Sequence, residues 1–438
     1  MIKELRLKNW KSFEDATLFI DPLTILIGPN ASGKSNALDA LLFLQRVSSG
    51  VGIFQAINGD VNLPALRGGV DAVCLNIFNK RDYFLNPGAS NDPSNQFTLE
   101  VLSDSKNTNQ DYRYELTVLI YPGFASILQE KLVLLTYGSE NAASEEKTLF
   151  FTTLKNAQSL TLFVNFSPDD SNKEALEKFE LNLSHTILSQ IKLFHFSHLH
   201  NEMERAGNYM RAQLSRIFIF DPIPAHMRGY VPFSENLNSD GSNLAGVLAG
   251  FNVDKKNGIE DSIIKYLKVV PEPDIKRIWA EPIGRFGHDA MLYCEEGWEG
   301  MKSHEIDARS MSDGTLRYLA IITALLTRES GSLLVIEEVD NGLHPSRAHV
   351  LIDMLRTLGK ERGIDVIVTT HNPALLDAAG ISMLPFITVA HRDNKTGVSQ
   401  LIQLEDIEQL PKLMASGSLG RLNTEGRIES ALKYEDAQ

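Results

Sequence analysis

The sequence predicts an α/β fold: a mixed sheet with an antiparallel β meander and a helical lobe, and no long coiled coil. Three observations predict it. First, the apolar run Leu23-Thr24-Ile25-Leu26-Ile27 enters Gly28-Pro29-Asn30-Ala31-Ser32-Gly33-Lys34-Ser35, and Ala37, Leu38, Leu41, Leu42 and Leu44 then recur at helical spacing. Second, six β-rich runs lie between residues 72 and 166, separated by polar turn segments. Third, a second apolar run, Leu333-Leu334-Val335-Ile336, ends in Glu337-Glu338 almost three hundred residues later, about where the other half of a split core belongs.

In order, Ile2–Trp10 alternates as a strand, and residues 16–20 read as its hairpin partner, leading through Asp21-Pro22 into the strand before the glycine-rich loop. Residues 51–69, ending Leu66-Arg67-Gly68-Gly69, read as loop with short helical turns. The β runs are expected at 72–78, 96–102, 112–121, 126–136, 148–154 and 160–166, a meander packed beside the core. Residues 172–214 read as mostly helical with an interruption near 194–200, too irregular for heptads. A short strand at Ile217–Phe220, a helix at 241–249, a mixed stretch at 277–295 and a polar tail after Thr424 complete the chain. The division expected is 1–170 with the glycine-rich loop and meander, 171–305 as a helical and mixed insertion, and 306–438 with the second half of the core.

The 438 residues carry a net charge of −14, which argues against coating nucleic acid by bulk electrostatics but leaves room for a local basic strip. Cys74 and Cys294 belong to no C-x-x-C pair, so neither a disulfide framework nor a zinc site is expected, and a reducing compartment is the default. No run approaches the length of a membrane span and the first residues lack a signal-peptide core, which gives a cytoplasmic expectation.

Residues 28–35 fit G-x-x-x-x-G-K-[ST] between a strand and a helix. Such a loop turns the backbone N–H groups inward around a polyphosphate and adds the positive helix end, with Lys34 on the β- and γ-phosphates and Ser35 toward Mg²⁺. Gly28, Asn30, Ala31, Ser32, Gly33, Lys34, Ser35 and Asn36 are therefore candidate ATP contacts. In such enzymes the neighbouring strand delivers an acid to the metal and the next residue orients the attacking water, which assigns Glu337, with Ser35, to Mg²⁺ and Glu338 to the water. Around that strand stand Ser312-Asp313-Gly314 at a helix start, Asp340-Asn341-Gly342, and Asp365–Thr369 ending in Thr370-His371.

In this order the pieces resemble an ATP-binding-cassette ATPase of the RecF/SMC-like branch, close to the stand-alone ATPases related to OLD-type phage-defence proteins. Ser312-Asp313-Gly314 resembles the signature motif, Asp340 the D-loop, His371 the switch histidine, and Leu7-Lys8-Asn9-Trp10-Lys11-Ser12-Phe13 that branch's N-terminal strand and turn. The resemblance covers the first 50 residues and 221–379. Glu337 stands where Asp is commoner, and the Q-loop residue is open between Gln45 and Gln129.

The resemblance implies a bilobed head that dimerises on ATP, the phosphate loop of one copy facing Ser312, Gly314 and Asp340 of the other. Hydrolysis through Glu338, sensed by His371, would release the pair. It implies an ATPase switch in antiphage defence or genome maintenance that controls a separately encoded effector such as a nuclease or toxin. A RecF-like repair ATPase on duplex DNA and a nucleotide-locked scaffold are the alternatives, so DNA stays an open partner. His195, His198 and His200 read as a polar surface or turn in preference to a zinc site. Arg205, Arg211, Arg216 and Arg228 read as a solvated helix face or a DNA strip, and Arg67 as structural or phosphate-reaching.

Overall fold

The computed structural model describes residues 1–75, 95–121, 123–138, 145–156, 159–164, 183–191, 201–251, 253–267, 275–285, 287–297 and 302–435. Three strands, β1 (Ile2–Trp10), β2 (Phe13–Phe19) and β3 (Leu23–Ile27), precede helices α1 (Lys34–Ser48) and α2 (Ile53–Asn58). The meander is β4 (Gln96–Asp104), β5 (Gln110–Tyr121), β6 (Phe124–Thr136), β7 (Glu145–Asn156) and β8 (Ser159–Val164). Helices α3 (Ile187–Gln190) and α4 (Asn201–Ser215) lead to β9 (Ile217–Phe220) and β10 (Val231–Pro232), then α5 (Leu244–Gly250) and α6 (Val253–Leu267). A hairpin, β11 (Ile275–Ile283) and β12 (Asp289–Glu296), is followed by β13 (His304–Asp307) and α7 (Asp313–Thr327). The remainder is β14 (Leu333–Ile336), α8 (Ala348–Arg362), β15 (Asp365–Thr369), α9 (Pro373–Ala379), β16 (Ile387–Arg392), β17 (Ser399–Gln403), α10 (Leu410–Met414), α11 (Leu419–Thr424) and α12 (Arg427–Glu435).

Thirteen strands form one mixed sheet in the order β8-β7-β6-β5-β4-β1-β2-β17-β16-β3-β15-β14-β9. The segment β16-β3-β15-β14-β9 is parallel throughout, with Ile387 opposite Ile25, Val366 opposite Leu23, Leu333 opposite Asp365 and Leu334 opposite Phe218. Its strands are covered on both faces, which is why they read as continuous apolar runs. Successive side chains leave a strand on opposite faces. Accordingly Ile25, Ile27, Leu334, Ile336, Val366 and Val368 join one apolar core with α7 and α8, while Leu26, Val335 and Ile367 join another with α1 and α4. A smaller four-stranded sheet, β10-β12-β11 with β13 on β12, packs within the first core.

Several expectations change. The meander is not packed beside the core: β4 pairs with β1, so it continues the same sheet. Residues 70–72 form a 3-10 turn and Cys74 makes an isolated bridge to Trp10, so no strand starts at 72; residues 76–78 lie outside the described residues. The mixed stretch at 277–295 is the β11–β12 hairpin, hidden because Ile278, Trp279 and Ala280 are all buried and break the alternation. The polar tail is in part α12, whose Ile428, Ala431 and Leu432 are buried at helical spacing. His195, His198 and His200, and much of the helical reading of 172–200, lie outside the described residues.

Candidate active site

The phosphate loop joins the C-terminal end of β3, five buried residues, to α1. Both of its glycines are required. Gly28 has φ +138° and a Cβ there would lie 2.2 Å from the Ala390 carbonyl oxygen; Gly33 has φ +114° and a Cβ there would lie 2.8 Å from Ser399 Oγ and 2.9 Å from Phe13 Cζ. Gly33 caps α1 without any side-chain bond, which leaves the first N–H groups of the helix facing the loop, a ready anion site. Ala31 is also left-handed, φ +64°, costing about 1–2 kcal/mol for a residue with a Cβ. Lys34 Nζ donates to the carbonyls of Gly28 at 2.6 Å and Pro29 at 2.9 Å, which draws the loop around the ammonium. Burial lowers the Lys34 pKa to about 8, against the pull of Glu338 and Glu429. Asn36, at the end of the loop, is tied to the first strand's turn: its Nδ2 donates to Ser12 Oγ at 2.8 Å and its backbone carbonyl accepts from Trp10 Nε1 at 2.7 Å. The first strand and its turn are thus pinned to the start of α1.

A cavity of about 340 Å³ is lined by the loop from Asn30 to Asn36 and by Glu337, Glu338, Thr369, His371 and Arg392. β14 delivers the two acids and β15 delivers Thr369 and, two residues on, His371. Glu338 is left-handed, φ +47°. Its N–H donates to Thr369 Oγ1 at 2.8 Å, and Arg317 Nη2 donates to the carbonyls of Glu337 at 2.9 Å and Glu338 at 3.0 Å. Arg317, buried on α7, also donates from Nη1 to the Pro222 carbonyl at 2.7 Å. The strained turn is over-determined by these bonds, the usual condition for keeping such a conformation. Arg317→Met leaves three carbonyls without this donor and is expected to destabilise the fold by roughly 3 kcal/mol, read by urea denaturation. Unchanged stability would show that the turn is held elsewhere.

Glu337 accepts from Arg67 Nη2 at 3.0 Å and Nη1 at 3.3 Å. Arg67 Nε in turn donates to Asp39 of α1 at 3.1 Å, and Asp39 accepts from buried Lys11 at 2.5 Å. Arg67, set aside in the sequence as structural or phosphate-reaching, therefore neutralises the acid expected at the metal. Ser35 and Glu337 line the same cavity. One hydroxyl and one carboxylate fit Mg²⁺, which keeps waters and substrate phosphates and does not use an all-protein cage. No group of three or more His, Cys, Asp or Glu side chains that could hold a metal exists among the described residues. Burial and the nearby Lys34 hold the His371 pKa below its usual value, opposed by Glu338 and Asp340, so near neutrality its imidazole is mainly uncharged.

Ser312, Gly314 and Asp340 do not line this cavity. Ser312 caps α7, its Oγ accepting from the Thr315 N–H at 3.0 Å. A Cβ on Gly314 would lie 2.7 Å from the Gly342 carbonyl oxygen, so α7 rests on the turn that carries Asp340. Arg228 braces the approach by donating to the carbonyls of Ala308, Arg309 and Met311 at 2.8–2.9 Å and to Asp313 at 2.5 Å. That removes Arg228 from any strip with Arg205 and Arg211 on α4, and Arg216 pairs with Glu329 at 2.7 Å. Neither Gln45 on α1 nor Gln129 on β6 lines the cavity. Sequence reasoning missed the places of Thr369, Arg317 and Arg392, and read Arg228 only as part of a solvated face or DNA strip. Thr369 could have been found as the last residue of the strand before His371; the arginines gave no local signal.

The fold and cavity define the class: a nucleotide-binding phosphate-loop domain built into a mixed sheet. Residues 1–217 match the model of an AAA ATPase domain, and residues 299–377 match that of an "AAA domain, putative AbiEii toxin, Type IV TA system". An ATP/GTP phosphatase of Helicobacter pylori is 21% identical over 393 residues, covering 86% of this chain and 87% of that protein. Chromosome partition protein Smc of Methanococcus voltae is 50% identical over 44 residues and that of Synechococcus 46% over 54, each match spanning 4% of the relative's length. Among solved structures, an SMC head bound to the C-terminal winged-helix domain of ScpA is 14% identical, covering 92% of this chain and 98% of that one at a TM-score of 0.49. The SMC head domain of Thermotoga maritima gives the same identity and coverage at 0.41. Residues 1–217 are thus similar to an AAA ATPase domain, and short stretches of the chain are similar to Smc proteins. The finer likeness to OLD-related proteins is not confirmed by these matches.

Proposed function

We propose that this protein binds and hydrolyses ATP and closes into a two-fold homodimer on it, acting as a nucleotide-operated switch. The observation that supports this reading is the separation of the half-sites: the phosphate loop, Glu337, Glu338 and His371 share one cavity, while Ser312 and Gly314 sit elsewhere in the same chain. A second copy would complete the cavity, bringing the Ser312 hydroxyl and the N-terminus of α7 to the γ-phosphate, with Asp340 beside them. An isologous pair makes two such sites at once. Ser35 and Glu337 would hold Mg²⁺, which supplies charge neutralisation of the phosphates when bound. Glu338 then accepts the proton of the attacking water, and uncharged His371 donates a hydrogen bond to the γ-phosphate.

The setting we propose is cytoplasmic, in antiphage defence or genome maintenance, with the switch controlling a separately encoded effector such as a nuclease or toxin. The toxin–antitoxin description of one matching family and the chromosome-partition relatives support that setting. Among the described residues no helix is long and apolar enough to cross a membrane, and Cys74 and Cys294 are both buried.

Mixing two inactive variants tests the composite site. Lys34→Ala disables the loop and Ser312→Ala removes the signature hydroxyl without blocking a second copy, so an equimolar mixture should regain hydrolysis, up to about a quarter of the wild-type rate if partners exchange freely. A mixture as inactive as its components, under conditions where the chains exchange, would show that both motifs serve one chain.

A further inference from the structure

We propose that Arg392 is a fixed polyphosphate ligand of the nucleotide cavity, contributed by the same chain as the phosphate loop; this rests on the nucleotide-site reading above. Four observations carry it. Arg392 is the last residue of β16 and lines the cavity together with the loop. Its backbone position is set by β16, which runs parallel to β3 with Val389 opposite Ile27 and with the Ala390 carbonyl against Gly28, so strand and loop cannot slide past each other. Its Nε donates to the Gly397 carbonyl at 2.8 Å, which orients the guanidinium. The turn that supplies this carbonyl is itself locked, Asp393 accepting from the Lys395 N–H at 2.8 Å and from the Thr396 N–H at 2.6 Å and hydroxyl at 2.8 Å.

The guanidinium is therefore aimed but not consumed. No carboxylate lies within ion-pair distance of it among the described residues, whereas Arg67, the neighbouring arginine, is committed to Asp39 and Glu337. Among the lining side chains the cations are Lys34 and Arg392, set against the carboxylates Glu337 and Glu338. A planar fork with its Nη donors unengaged matches phosphate oxygens bidentately, which a lysine cannot reproduce. The ligand class is the triphosphate of a nucleotide, and the contact is to the phosphate chain, with no role assigned toward the base.

Equilibrium binding of a fluorescent non-hydrolysable triphosphate and of the matching monophosphate to wild type, Arg392→Ala and Arg392→Lys tests this. Arg392→Ala should weaken the triphosphate about tenfold or more and leave the monophosphate within about twofold, with Arg392→Lys recovering part of the loss. An unchanged triphosphate affinity overturns the proposal. So does an equal loss for both nucleotides, which would make Arg392 a brace of the β16–β17 turn. Wild-type protein that binds neither nucleotide would instead overturn the nucleotide-site reading itself, and this proposal with it.

Discussion

The Glu338→Gln protein should bind ATP as tightly as wild type, hydrolyse it about 10²–10⁴ times more slowly, and accumulate as a dimer. Glutamine keeps the shape and the acceptor that Asn341 Nδ2 reaches at 3.3 Å, and the backbone that holds φ at +47° is fixed by Thr369 and Arg317, not by the carboxylate. The change therefore removes proton acceptance and little else. Binding energy is left intact, and the step that would separate the two copies is slowed. Phosphate release measured at saturating ATP checks the rate. A wild-type rate would remove Glu338 from the chemistry.

Lys34→Ala should weaken ATP binding by roughly 3 kcal/mol, a factor on the order of a hundred, and abolish dimerisation with it. The ammonium now bonded to the Gly28 and Pro29 carbonyls would exchange those partners for phosphate oxygens, a stronger acceptor pair. The folded protein should not suffer. The Lys34 pKa is depressed to about 8, so its charge opposes folding below that pH and the opposition fades as pH rises toward the unfolded value. Removing it should leave the melting temperature unchanged or raised. For the same reason ATP affinity in wild type should fall as pH rises through about 8, where the free lysine loses the proton that phosphate requires. Titration calorimetry across that range reads both effects, and full ATP affinity in the alanine variant would contradict the role given to Lys34.

The parts of this site that were legible in the sequence are those whose signal is local. β3 and β14 are short runs buried on both faces, so each is apolar without a break, and the loop motif and the acid pair sit directly at their ends. α7 announces itself by the Ser312 cap and the apolar spacing after it. What was not legible depends on pairing across the chain. Arg392 reaches the cavity because β16 pairs with β3, more than 350 residues earlier, and nothing in His391-Arg392-Asp393 foretells it. Arg317 reads as one polar position in a helix, yet it is 4% exposed and holds the turn that carries the acids. Arg67 next to two glycines gave no indication of Glu337, 270 residues on. The meander's continuity with the core rests on the β1–β4 ladder, which no periodicity within either strand encodes.

The most direct test of the composite site is the solution mass of the Glu338→Gln protein with Mg-ATP, with and without Ser312→Arg in the same chain. A bulky cation at the cap of α7 would block the approach of a second copy and leave the Glu337 and Lys34 side of the cavity untouched. The account predicts a doubled mass for Glu338→Gln and the mass of a single chain for the double variant, both still binding ATP. A doubled mass that persists with Ser312→Arg, or a single-chain mass for Glu338→Gln at saturating ATP, would contradict it.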